Sequence, residues 1–256
     1  SLAILFICCL LALLTATRVL PVTDGWYEAL IYLKDKGLRP YKDIEFVLPP
    51  ITPMFYQLLK FLTQDDIAAN KIIGVFLTLA TSGMVFAWLR PVHKTIGALV
   101  AAVLFFIILT TFPVYIARDY HTLVDLFAII SIAMMTQAYR HATITPSALA
   151  YYAIVGADVA LLFLTKQNVG LMLTLAFAGY LVLAHVVFVA PAARRAQLVR
   201  WGAFTGAYVL GAAITCAVIV SMYAHGTTIT GFVGDLLNVQ SKGSPLYMAT
   251  RLMHDT

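Results

Sequence analysis

Seven apolar runs govern what this chain can become. They lie at 2–22, 67–89, 95–113, 122–138, 147–164, 169–189 and 202–224. About 20 apolar residues wound as a helix reach across the hydrocarbon of a bilayer. Inside that hydrocarbon each backbone amide has to be satisfied within its own segment, so such runs form helices. The expected fold is therefore an all-α polytopic membrane protein, a bundle of transmembrane helices. Composition agrees, with 61% hydrophobic and only 11% charged residues, against roughly 25% charged in a soluble domain. The net charge of +5 belongs to loops at a membrane surface. The bilayer is then the first partner, and no nucleic acid is expected. Cys8, Cys9 and Cys216 all sit in apolar runs and show neither a disulfide framework nor metal-ligand spacing.

A signal peptide is the alternative reading of residues 2–22. The run is long, has no basic start and ends without a clean small-x-small site, which favours a span. The chain starts at Ser1 and stops at Thr256 in a polar stretch. It is expected to be the N-terminal part of a longer protein.

Between the first two runs lies a long polar loop, residues 24–66. It holds Asp24, Glu28, Asp35, Asp43, Glu45, Asp65 and Asp66, seven of the twelve acids in the chain. Asp24 suits an N-cap. Trp26, Leu30, Leu33 and Gly37 recur at helical spacing, which predicts a short amphipathic helix at the membrane surface, ended by Gly37 and Pro40. A second surface helix is expected from Pro53, after Thr52, carrying Phe55, Leu58, Leu59 and Leu62. Phe232, Val233, Leu236 and Leu237 suggest another in the polar tail, 225–256.

The short loops set an orientation. One side carries Arg90, Lys94, Arg140, Arg194, Arg195 and Arg200 with no acid, whereas the other side's short loops carry only Arg118 and Lys166 as cations. The first side is expected to be cytoplasmic. By alternation, loop 24–66, Asp119, the TKQN link at 165–168 and the tail lie outside, and Asp125 and Asp158 sit in spans nearer that side. A protein that gathers its carboxylates at one face is expected to do its chemistry there.

Asp24, where water meets low dielectric, is a candidate general base as well as a cap. Asp43 and Glu45, two apart, would face one way in an extended segment and could hold acceptor hydroxyls or a cation; a solvated loop explains them as well. Arg118, Asp119, Tyr120 and His121 crowd one helix start, with Asp125 about a turn deeper. This is more polarity than a cap needs, so Asp119 joins Asp24 as a candidate catalytic carboxylate. Asp158 within a span is costly unless paired or hydrated. Lys166, Gln167 and Asn168 offer donors suited to a phosphate, although a snorkelling lysine is the plainer account of Lys166. Trp26, Tyr115 and Tyr223 near span ends fit an aromatic belt.

Taken together, these stretches resemble the polyprenyl-phosphate-dependent GT-C glycosyltransferases, which include protein O-mannosyltransferases and aminoarabinose transferases. The resemblance rests on the first span followed by Asp24-Gly25-Trp26-Tyr27. It continues through Gly37-Leu38-Arg39-Pro40-Tyr41-Lys42-Asp43, the Pro49-Pro50 pair and the aromatics after it. The stretches ARDYHTLVDLF at 117–127 and LTKQNVG at 164–170 also look like starts of family spans, and the likeness covers about residues 2–190. Gly25 stands where many members carry a second acid, and seven spans are fewer than the family usually has.

The resemblance implies a helix bundle whose first outer loop caps a cavity. It implies a polyprenyl-phosphate sugar as donor and a glycan, lipid or protein hydroxyl as acceptor. Asp24 would be the base, attack would be in-line with inversion, and Arg118, His121 and Lys166 would neutralise the departing lipid phosphate. No cofactor is required, and Asp43 with Glu45 leaves a divalent metal open. The expected location is a bacterial inner membrane with the site facing outside. Two other readings stand beside it: a transporter or flippase using Asp158 and Lys166, and a non-catalytic membrane subunit. A transporter should show charged sites open to both sides, and here the inner half holds no acid.

Overall fold

The structure is a computed structural model that describes residues 29–30, 32–38, 49–64, 67–111, 121–138, 143–188 and 194–223. Among the described residues the protein is all-helical. Two short helices come first: α1, with helical residues 29–30 and 32–35, and α2, Ile51–Thr63. Six longer ones follow: α3 Ile67–Leu89, α4 Thr95–Thr111, α5 His121–Ala138, α6 Pro146–Thr165, α7 Gln167–Phe188 and α8 Arg194–Tyr223. Four segments are long and apolar enough to cross a membrane: Ile72–Leu89, His121–Ala138, Pro146–Thr165 and Arg195–Met222. Thr95–Leu109 is a shorter apolar helix. The run at 2–22 and the tail at 225–256 lie outside the described residues.

The helix ends follow from local chemistry. Gly37 adopts φ +81°. The Leu38 amide donates to Leu33 O at 3.1 Å and the Gly37 amide to Lys34 O at 2.8 Å. This left-handed cap closes α1 where the sequence predicts, at a conformation only glycine adopts without cost. Thr145 caps α6 by accepting from the Ala148 amide at 3.2 Å, ahead of Pro146. Within the spans, hydroxyls satisfy themselves one turn back. Thr78 donates to Gly74 O, Thr81 to Leu77 O and Ser82 to Thr78 O, at 2.8–3.0 Å. That makes polar side chains tolerable where no water reaches.

α6 is the central helix. It packs against α8 most extensively, and also against α5, α7 and α2. Its contact with α8 is a close approach of backbones. A Cβ on Gly156 would collide with the Tyr208 backbone, and one on Gly211 with the Ala153 backbone. Such packing of small residues lets membrane helices associate without a hydrophobic driving force.

Two apolar clusters mark the ends of the bundle. One joins Leu30 of α1 and Phe55 and Leu59 of α2 to Leu123 at the start of α5, Leu164 at the end of α6 and Ile219 near the end of α8. The other holds Met135, Ala138, Ala148, Tyr152, Val155 and Phe204. The surface helices therefore seat on the end where α5 starts and α6 stops, as alternation of the spans requires. Asp35 of α1 and Lys60 of α2 clamp the pair together at 2.6 Å.

Three expectations are corrected. The buried face of α2 comprises Ile51, Phe55, Tyr56, Leu59 and Thr63, while Leu58 and Leu62 are 53% and 57% exposed. A helix lying between a bundle and lipid has two apolar surroundings, so hydropathy alone cannot say which leucines face the protein. The TKQN link shrinks to one non-helical residue, Lys166, and Gln167 begins α7. The last span begins at Arg194 rather than 202. At 30 residues α8 is about 45 Å long, beyond the roughly 30 Å of hydrocarbon, so its arginine-bearing start projects past the apolar zone.

Candidate functional site

The site is built at the end of the bundle that carries α1 and α2. Lys166 has extended backbone, φ −151° and ψ 100°, between two helices. Its amide donates to Leu162 O at 2.8 Å and its carbonyl accepts from the Gly170 amide at 3.1 Å. Both sides of the residue are thus pinned, and the ammonium has a fixed origin. From there Nζ reaches His121 Nε2 at 2.8 Å, across 45 residues of sequence. A lysine ammonium only donates, so the contact requires His121 Nε2 to carry no proton and to accept.

The residues next to this pair in sequence are polar. Thr122, Thr165 and Gln167 are buried, and His121 and Lys166 are half-buried. The first turns of α5 and α7 hold no acid. The amide-rich N-terminus of α7, which attracts anions, adjoins Lys166. A cation, an imidazole and a helix N-terminus together favour a negatively charged group such as a phosphate.

Deeper in the bundle the same two helices are linked again. Ser131 of α5 donates to Asp158 Oδ2 of α6 at 2.5 Å, with both residues buried. Further on, the Tyr152 hydroxyl of α6 donates to Ala138 O of α5 at 3.1 Å. Along α5 the partners run 121, 131, 138, while along α6 they run 166, 158, 152. The helices are therefore antiparallel neighbours, joined at three depths. From His121 to Ser131 is about 15 Å of helix axis, and from Lys166 to Asp158 about 12 Å. Asp125 lies one turn below His121 and is half-buried.

Of the residues singled out from sequence, the structure brings His121 and Lys166 into contact and sets Gln167, 8% exposed, beside them in sequence at the start of α7. Asp24, Asp43, Glu45, Arg118 and Asp119 lie outside the described residues. Outside the spans, burial lowers the Lys34 ammonium below its ordinary value, while the charge of Asp35 acts the other way.

One feature escaped sequence reasoning. A cavity of about 330 Å³ opens near the opposite end of the bundle, walled by aromatic residues that include Tyr152, Phe177, Trp201 and Phe204. Its rings read as ordinary span residues until the helices are assembled. None of the residues proposed from sequence lines it. The chain matches no protein-family model, no curated protein and no solved structure.

Proposed function

We propose that this protein is a membrane glycosyltransferase that moves a sugar from a polyprenyl-phosphate donor to an acceptor hydroxyl. The observation that carries the reading is the Lys166–His121 contact at 2.8 Å, at the bundle end where α1 and α2 pack. In this reading Lys166 and His121 receive the phosphate. The polyprenyl chain stays in the bilayer, and Asp24 takes the proton from the acceptor hydroxyl. The acceptor oxygen bonds to the anomeric carbon as the bond to the phosphate oxygen breaks, with inversion. Negative charge gathers on the departing phosphate, and a fixed ammonium aimed at it lowers the barrier. The antiparallel linkage of α5 and α6 keeps the Lys166–His121 pair in place.

The test is sugar transfer from radiolabelled polyprenyl-phosphate sugars by membranes holding the full-length protein, beside Asp24→Asn and Lys166→Met variants. Transfer lost in Asp24→Asn with donor binding kept, and donor binding lost in Lys166→Met, is the expected pattern. Equal transfer in all three would remove both assignments. A transporter or flippase is the second reading, favoured by the Ser131–Asp158 pair buried between α5 and α6. Movement of a lipid-linked substrate across vesicles without sugar transfer would decide for it.

A further inference from the structure

α7 and α8 follow each other in the chain, yet each packs on α6 and they make little contact with one another. The gap between them is the 330 Å³ cavity. Its floor is the face of the Tyr152 ring, stacked on Phe204 with centroids 4.3 Å apart, and Met135 beyond it. At the end nearer Lys166, Thr174 of α7 and Tyr208 of α8 approach across the gap, their hydroxyl oxygens 3.4 Å apart. On the flanks, Val182 and Val209 line the cavity and are themselves 62% and 56% exposed, so it opens sideways. From Thr174 to Val182, or from Trp201 to Val209, the cleft runs about 12 Å along the helix axes.

Two of the hydroxyls in its walls are directed at backbone. Tyr152 spends its hydroxyl on Ala138 O, and Thr174 donates to Gly170 O at 2.9 Å. What the cleft presents is mostly apolar, and it lies along Arg195–Met222, a segment long and apolar enough to cross a membrane. At the open end stands the start of α8, with Arg194, Arg195 and Arg200 within seven residues and no acid in the first turn. A hydrocarbon cleft that ends at an arginine cluster matches a lipid with an anionic headgroup.

We propose that the cleft between α7 and α8 binds one acyl chain of an anionic phospholipid, whose headgroup lies at the arginine-bearing start of α8. The site belongs to the leaflet on the arginine side, at the opposite end of the bundle from the Lys166–His121 pair, and does not depend on the transfer reaction.

The full-length protein in nanodiscs tests this with phosphatidylglycerol and phosphatidylcholine that carry a photoactivatable diazirine in one acyl chain. Labelled peptides are mapped by mass spectrometry, with the exposed Leu104 and Ile108 of α4 as the reference for general lipid contact. We expect phosphatidylglycerol to label cleft residues at least fivefold more than that reference and fivefold more than phosphatidylcholine does. Ala178→Trp, which fills the cleft, should cut the cleft signal about tenfold and leave α4 unchanged. Arg195→Gln with Arg200→Gln should bring phosphatidylglycerol down to the phosphatidylcholine level. Cleft labelling no higher than on α4 in the unaltered protein overturns the proposal, as it would if another segment of the chain filled the space. Equal labelling by the two lipids overturns the headgroup assignment. Competition by chain-free glycerol phosphate would mark a plain phosphate site instead.

Discussion

Lys166 Nζ lies 2.8 Å from His121 Nε2, a contact between the residue that joins α6 to α7 and the first described residue of α5. Both side chains are half-buried, and the contact joins the start of α5 to the junction of α6 and α7. In the proposed reading their convergence is a receptor for a negative group, with the imidazole accepting from the ammonium. The same helix pair carries Ser131–Asp158 about 12–15 Å deeper, so the position of the upper pair is fixed by a lower one.

Lys166→Met should lower sugar transfer by about two orders of magnitude, the usual cost of removing one donor to a developing oxyanion. His121→Gln retains an acceptor for the ammonium and should cost less. Single-turnover transfer in membranes, with donor binding followed separately, checks both. A double variant no worse than Lys166→Met alone would show that the pair acts as a unit.

Ser131→Ala strands the buried Asp158 without its hydroxyl partner. A loss of about 1–3 kcal/mol of stability is expected, the cost of an unsatisfied buried polar group. Adding Asp158→Leu to that variant removes the stranded carboxyl and should recover most of the loss. Thermal unfolding in detergent reads the difference. A double variant less stable than Ser131→Ala would show that Asp158 has partners beyond Ser131 that matter more.

Gly156→Ala and Gly211→Ala place a methyl group against backbone on the facing helix. Each should destabilise by about 1–3 kcal/mol, as overpacking does, and loosen α6 from α8. Gly202 and Gly206 of the same α8 meet nothing within 4 Å, so alanine there should be neutral or stabilise by up to about 1 kcal/mol. Four melting curves separate the two pairs.

Lys60→Ala removes the clamp on Asp35. Because both ends are partly exposed, at 33% and 58%, the loss should be no more than about 1 kcal/mol. It should shrink as salt rises. Stability of the two proteins at low and high ionic strength gives the answer. A larger, salt-independent loss would point to the packing of the lysine stem on α2's neighbours.

Much of the architecture was legible because burial in lipid demands long apolar helices. The runs at 95–113, 122–138, 147–164 and 169–189 become helices whose ends shift by two residues or fewer. Loop signals were as plain: Gly37 ends α1 at positive φ. Legibility failed where polarity and helix part company. Residues 194–201 are polar and basic, so hydropathy reads a link, yet they continue α8 because a helix that projects into water needs no apolar side chains. It failed again on α2, where Leu58 and Leu62, grouped with Phe55 and Leu59 by their spacing, lie exposed.

The sequence by itself determined the helical class, the order of the apolar helices among the described residues, and the two short helices before them. Each of those follows from the price of polar groups in hydrocarbon, which acts one segment at a time. Only the tertiary structure decided that Lys166 would face His121 and Ser131 would face Asp158, since those pairings depend on how antiparallel helices are set in register. It likewise decided that α7 would stand away from α8, because α6, with Gly156 at its middle, draws α8 to itself.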